Sequence, residues 1–203
     1  MYVPAHFRQD DPAELRRLMR AHPFATLVTV GPDGAPFASH VPILVEEEGD
    51  ALFLRTHLAR ANGQWKHFSN GAEALVIFHG PHALVHSKWY ESAPNVPTWN
   101  YAAVHAYGPV RLTEDAATTR GIAYRLVAQH TPDMPPIPEE YERRLLVAVV
   151  TFELRVTRLE GKYKLSQNKS EADRANVRRE LAASDDPAER GTAALMRGKD
   201  SSE

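Results

Sequence analysis

A mainly antiparallel β fold with flanking helices is the class this sequence predicts: a small closed or split barrel carrying a helical segment at its C-terminal end. Three observations predict it. Six or seven short, apolar, β-branched stretches follow one another with turn residues between them. The first three arrive without the intervening helices that a parallel α/β sheet requires. No internal repeat replaces this order with a solenoid or a propeller.

Each element has its own reason. Asp10-Asp11-Pro12, followed by Leu15, Leu18 and Met19, predicts a capped helix with proline in its first turn, ended by His22-Pro23. Phe24 to Val30 reads as a buried strand. Gly31-Pro32-Asp33-Gly34 turns the chain into a second strand from Pro36 to Val45. Glu46 to Asp50 is a polar turn into a third strand, Ala51 to His57, which completes an expected meander. A short helix is expected over Ala59 to Phe68. Glu73 to His79 and Ala83 to His86 then flank Gly80-Pro81 as a hairpin. A polar loop from Lys88 leads to a long strand from Trp99 to Leu112. Thr113-Glu114-Asp115 caps a helix bearing Ile122, Leu126 and Val127. The prolines at 132, 135, 136 and 138 make a bend before a helix from Glu139 to Leu146. Val147 to Leu159 reads as one strand with Phe152, Leu154 and Val156 on one face. Ser170-Glu171-Ala172-Asp173 resembles a capping box opening a charged helix to about Ala183. A last helix spans Pro187 to Met196, and the final residues are expected to be loose. Residues 1–168 form the expected barrel domain and 169–203 a helical extension.

Composition narrows the function classes. The 203 residues are 43% hydrophobic and 25% charged, which is a globular balance. A net charge of −2 argues against a generally basic nucleic-acid binder. The absence of cysteine excludes disulfides, thiolate metal sites and cysteine nucleophiles. The N-terminus lacks a signal-peptide pattern and no apolar run nears the roughly 20 residues that span a bilayer, so a cytoplasmic protein with no membrane partner is expected.

The most informative stretch runs from Leu52 to Trp65. It is an apolar strand that reaches Thr56 and His57 and then turns at Ala59-Arg60-Ala61-Asn62 into a helix start. A phosphate requires such an arrangement, with free N–H groups at a helix start and a guanidinium that grips two oxygens. Pattern alone favours an ordinary strand–loop–helix connection with a surface arginine. Val96 to Tyr101 gathers an indole, an amide and a phenol at a strand start, fit either to stack on a planar ligand or to anchor a barrel-end contact. Leu159 to Asn168 ends a strand with cations and amides, suited to an anionic ligand or to a plain cationic loop. His79, His82 and His86 lack a carboxylate at ligand spacing, so no metal site is assigned. No nucleophile elbow and no glycine-rich phosphate loop is present. Glu139-Glu140 and Glu46-Glu47-Glu48 read as solvated charges, so the catalytic residues, if any, are unassigned.

Taken together, Met1-Tyr2-Val3-Pro4, His57 to Asn62, Lys88-Trp89-Tyr90, Val96 to Tyr101 and Gly161 to Asn168 resemble the PaiB family of FMN-binding negative transcriptional regulators. The resemblance runs from Met1 to about Met196. It implies an FMN-binding split β-barrel, antiparallel and Greek-key-like, related to flavin reductases and pyridoxamine-phosphate oxidases. It also implies a homodimer holding FMN in clefts between subunits. On that resemblance Arg60 and Asn62 would bind the FMN phosphate, with Thr56 and His57 beside it. Ser39, His40, Val41 and Pro42 would run along the isoalloxazine edge. Trp99, Asn100, Tyr101, Lys164 and Gln167 would close the cleft. Thr56 stands where the family commonly has glycine, and Gly63 where it commonly has proline. The family name implies DNA, but the residues offer no helix-turn-helix and no basic stripe. Arg174, Arg178 and Arg179 are offset by Asp173 and Glu180. An FMN-dependent oxidoreductase of the flavin-reductase kind and a haem-handling protein on the same barrel are the competing readings.

Overall fold

The computed structural model describes residues 1–113 and 115–197, with the backbone alone for residues 69–71. Glu114 of the expected helix cap and the last six residues, 198–203, lie outside that description. By packing, the chain forms two compact units. The larger comprises Arg16–Phe78 and His105–Leu159; the smaller comprises Met1–Leu15, His79–Val104 and the chain from Glu160 on.

The elements in chain order are β1 (Arg8–Gln9), α1 (Pro12–Ala21), β2 (Phe24–Val30), β3 (Pro36–Pro42), β4 (Leu44–Glu48) and β5 (Ala51–Ala59). After a 3-10 segment at Gly63–Gly71 come β6 (Glu73–Val85), β7 (Thr98–Leu112), α2 (Ala116–His130) and α3 (Glu139–Val147). The chain ends with β8 (Val149–Arg155), β9 (Arg158–Lys164), α4 (Glu171–Ala182) and α5 (Pro187–Arg197).

In the larger unit the strand order is β3-β2-β6-β7-β8-β5-β4, to which β6 and β7 give only their 73–78 and 105–112 portions. The registered pairs β2–β3, β2–β6, β4–β5, β5–β8 and β7–β8 are all antiparallel. Strand period decides what is buried: Ala25, Leu27 and Thr29 point inward along β2, while Phe24 and Val30 at its ends are exposed. The β2–β3 turn works because Gly34 takes φ +80 and Asp33 accepts from the Ala35 N–H at 3.1 Å. Asp115 caps α2 by accepting from the Thr118 N–H at 2.7 Å, and Ile122 and Leu126 pack on Leu44.

Several expectations from the sequence are corrected. The second strand breaks at Ile43, whose N–H goes to Pro23 O at 2.9 Å, so β3 pairs β2 while β4 pairs β5. The meander is therefore split, with β3 and β4 at opposite ends of the strand order. Gly80-Pro81 is no turn, because β6 runs straight through it. β2 is registered against β6 only at Leu75–Ile77, so proline falls beyond the stretch where that ladder needs a donor. The expected strand from Val147 to Leu159 divides after Arg155, where Val156 N–H bonds Leu52 O and Thr157 N–H bonds Tyr107 O, both at 2.9 Å. β5 continues through Ala59, and the helical segment starts at Gly63 as 3-10 rather than at Ala59.

In the smaller unit β1, too short for any sequence pattern, pairs with β9, which also pairs with β7. Val177, Leu181, Ala193 and Met196 are buried on α4 and α5. Ser170 caps α4 by accepting from the Asp173 N–H at 3.2 Å. Asp173 does not complete a capping box. Its buried carboxylate accepts from Glu91 N–H (2.7 Å), Ser92 N–H (3.3 Å) and the Ser92 hydroxyl (2.5 Å). Those bonds, the Ser92 hydroxyl foremost, hold its pKa below the ordinary carboxylate value.

Candidate functional site

The candidate residues fall into two groups, one in each unit. In the larger unit they sit where β5 ends beside β3. Thr56 is fully buried and its hydroxyl donates to Pro42 O at 2.6 Å, which ties β5 to the end of β3. His57, next along the strand, points to the other face and is half-buried. Its Nδ1 is buried with no hydrogen-bond partner, and burial lowers its pKa.

Arg60 follows the strand and is anchored three times. Its N–H bonds Ala148 O at 2.8 Å, its Nε donates to Val147 O at 2.8 Å and its Nη2 to Val149 O at 2.9 Å. Asn62 shapes the next turn: its Oδ1 accepts from the Gln64 N–H at 3.1 Å and its Nδ2 donates to Ser39 Oγ at 2.8 Å. Gln64, fully buried, donates from Nε2 to Leu27 O, Thr29 Oγ1 and Phe37 O at 3.1–3.2 Å. The loop bearing Arg60 and Asn62 is thus clamped onto β2 and β3. Gln64 was not singled out in the sequence; its only signal is an amide two residues after Asn62.

β3 ends the strand order, so its far edge presents main-chain N–H and C=O groups to no further strand among the described residues. Ser39 is half-buried, His40 is exposed with Nδ1 3.1 Å from Thr26 Oγ1, and Val41 is buried. An edge of main-chain donors and acceptors beside the clamped Asn62–Ser39 pair fits a ligand with a planar polar edge.

His57 makes a pH prediction. Its folded-state pKa lies below the unfolded one, so at acid pH the unfolded chain binds a proton that the folded chain resists. Stability therefore falls as pH drops below the ordinary histidine value of about 6.5. In His57→Gln that part of the acid loss is expected to vanish, read as a smaller drop in Tm between pH 7 and pH 5.5. An unchanged drop refutes the assignment.

In the smaller unit Trp99 is 52% exposed, whereas Asn100 is fully buried. Asn100 Nδ2 donates to Ser166 Oγ at 2.9 Å and approaches Met196 Sδ at 3.8 Å. Lys162 Nζ lies 5.4 Å from the Tyr101 ring centroid. Lys164 Nζ donates to Thr98 Oγ1 at 2.6 Å and to Trp99 O; burial, then the neighbouring Lys162 and Lys169 charges, lower its pKa. Gln167 spans its own turn, donating to Tyr163 O at 2.5 Å and accepting from the Leu165 N–H at 2.7 Å. Asn100 and Gln167 therefore hold the loop geometry, while Trp99 and Tyr101 line a cavity of about 380 Å³ with His79 and His82. Among the described residues no three His, Asp or Glu side chains converge on a point where one ion could sit.

Residues 1–158 match the family model described as "Putative FMN-binding domain". The chain is 35% identical to the Protease synthase and sporulation protein PAI 2 of Bacillus subtilis, over 98% of each chain. It is 28% identical to the uncharacterized protein AN0679 of Emericella nidulans over 87% of this chain and 88% of that one. Among solved structures, the flavocytochrome Anf3 of Azotobacter vinelandii superposes with a TM-score of 0.64 at 19% identity, covering 86% of this chain and 78% of that one. The FAD and heme binding protein of Mycobacterium smegmatis gives 0.60 at 18%, covering 83% and 78%. The fold is that of the flavoprotein split barrels, mainly β with flanking helices. The chain belongs to the FMN-binding domain family that also contains the Bacillus PaiB protein, and FMN is its cofactor. No helix among the described residues is long and apolar enough to cross a membrane.

Proposed function

We propose that this chain is a cytoplasmic homodimeric flavoprotein that seats the FMN phosphate at Arg60 and Asn62 and lays the isoalloxazine edge along Ser39 to Pro42. The observation that carries the reading is the Asn62–Ser39 hydrogen bond, which fixes the phosphate loop against an edge strand. Thr56 holds the end of β3 in place, and His57 stands beside the phosphate loop in this reading. In the smaller unit Trp99, Tyr101 and Lys164 stand at the positions that the family resemblance gives to the flavin, with Asn100 and Gln167 shaping their loops. Bound FMN supplies a redox centre; the protein's part is to bind and orient it. Flavin, rather than direct DNA contact, is the basis of any regulatory role. On α4, Arg179 is engaged by Asn176 at 2.7 Å and Glu180 at 3.2 Å, which spends its charge locally.

The test is a titration of flavin-free protein with FMN, followed by fluorescence quenching and by sedimentation. One FMN per chain on a dimer is expected, and Arg60→Ala weakens uptake by about tenfold to a hundredfold, the worth of one charged hydrogen-bonding group. A folded protein that takes up no FMN, or an Arg60→Ala protein that binds as tightly as the original, overturns the reading. NADH or NADPH oxidation above the free-FMN background adds an oxidoreductase activity to it.

A further inference from the structure

The larger unit contains a second concave site. It is lined by Val149, Val150 and Thr151 of β8, Leu112 of β7, residues of α2 and α3, and Trp65 and Arg60. Its volume, about 640 Å³, suits a small organic molecule. The lining mixes aliphatic side chains with charged groups and threonines, though its exposed area is mostly apolar, and the hydroxyls of Thr119 on α2 and Thr151 on β8 satisfy each other at 2.9 Å.

Charge decides what such a groove would take. Arg120 is paired with Glu142 at 2.5 Å and Arg143 with Glu140, and Glu139 adds a further acidic side chain, so the α2–α3 rim carries no net positive charge. Arg60 differs. Its guanidinium rests on the Val147 and Val149 carbonyls, which orient it without cancelling its charge. Among the described residues it is the groove's one cation without a carboxylate partner. An oriented positive charge beside a lining whose exposed area is mostly apolar favours a molecule with an apolar body and one anionic end. The exposed side chain of Val147 at the rim adds apolar surface that such a body would cover.

We infer that this groove is a binding site for a small organic anion with an aromatic or branched apolar body, a carboxylate or a sulfonate, whose charged end meets Arg60. Arg60 serves the phosphate in the flavin reading and the groove in this one. The groove is therefore tested on full-length protein with no flavin present, and FMN uptake is measured separately.

The probe is anilinonaphthalene sulfonate, with phenylnaphthylamine as its uncharged counterpart. Saturable fluorescence at one sulfonate per chain is expected, with the uncharged probe about tenfold weaker or more, as the loss of one charged contact requires. Leu146→Glu, which sets a negative charge in the wall, lowers sulfonate affinity at least as much and leaves FMN uptake unchanged. If circular dichroism shows that Leu146→Glu does not fold, Ala116→Glu at the exposed start of α2, which holds none of the Arg60 contacts, makes the same test. Equal affinity for the two probes, affinity unmoved by the acidic substitution, or no saturable binding overturns the inference. The flavin reading is scored separately, by FMN uptake, and it fails by lack of that uptake with sulfonate binding intact.

Discussion

Gly108→Ala is expected to lower stability by about 3 kcal/mol or more, at or beyond the upper end of ordinary overpacking. The glycine is buried in β7 where the chain passes the end of β8. A Cβ built there would lie 1.9 Å from Arg155 O and 2.8 Å from its carbonyl carbon. Both atoms are backbone, so no rotamer change relieves the clash. The strands would have to separate beside Val110↔Leu154, where β7 and β8 are registered. They would do so where Val156 and Thr157 place their N–H groups on Leu52 O and Tyr107 O, so further bonds go with them. Gly108 is therefore needed for close approach rather than for an unusual backbone angle. A thermal melt gives the readout: about 3 kcal/mol corresponds to a Tm lower by roughly 6–12 °C for a chain of this length. A Tm within about 2 °C of the original protein would mean that the two strands part at little cost, against the packing argument.

Gly108 also marks how far the sequence could be read. Where a signal is local it was legible: Asp10-Asp11-Pro12 opens α1, Asp115 caps α2, Ser170 caps α4, and the β-branched run Phe24–Val30 forms β2. Where the outcome depends on a distant partner it was not. Gly80-Pro81 has the composition of a turn, yet β6 stays extended through it, beyond the stretch registered with β2. Ile43 has no breaker character of its own; the break comes from the Pro23 carbonyl that captures its N–H. The two-residue β1 exists because β9 is there to pair with it. In the candidate site, residue types at the end of β5 pointed to an anion. The Gln64 clamp, the Arg60 contacts to Val147 and Val149, and the α2–α3 groove all depend on residues far apart in the chain. The Asp173 carboxylate looked like half of a capping box because spacing does not reveal that Glu91 and Ser92 fold back onto it.

Phe152→Ala tests whether the phosphate loop depends on the core beneath it. Phe152 is 1% exposed and its ring centroid lies 4.7 Å from that of Phe68, tilted by 47°. In the sheet it is opposite Thr56 of β5 on one side and Leu112 of β7 on the other. Truncation removes a buried ring and leaves a cavity between strands that cannot close without disturbing both ladders, which costs about 3–5 kcal/mol. The lost aromatic pair is worth roughly 0.5–1.5 kcal/mol beyond the buried area and pushes the value toward the upper end. Phe152→Leu keeps most of the volume and is expected to cost well under half as much. The two variants separate packing from binding. Thr56 lies directly across from Phe152, and His57 across from Thr151, so a sheet that survives in Phe152→Leu still positions the loop that follows them. FMN affinity in Phe152→Leu should therefore stay close to that of the original protein while Tm falls. In Phe152→Ala, FMN should raise Tm by the usual linkage to ligand concentration, from a lower starting point. A Phe152→Ala protein that melts like the original would show that β8 is not the support for the site. Affinity lost in Phe152→Leu at a temperature where it remains folded would show that the site reads the shape of this ring and not merely the presence of a packed sheet.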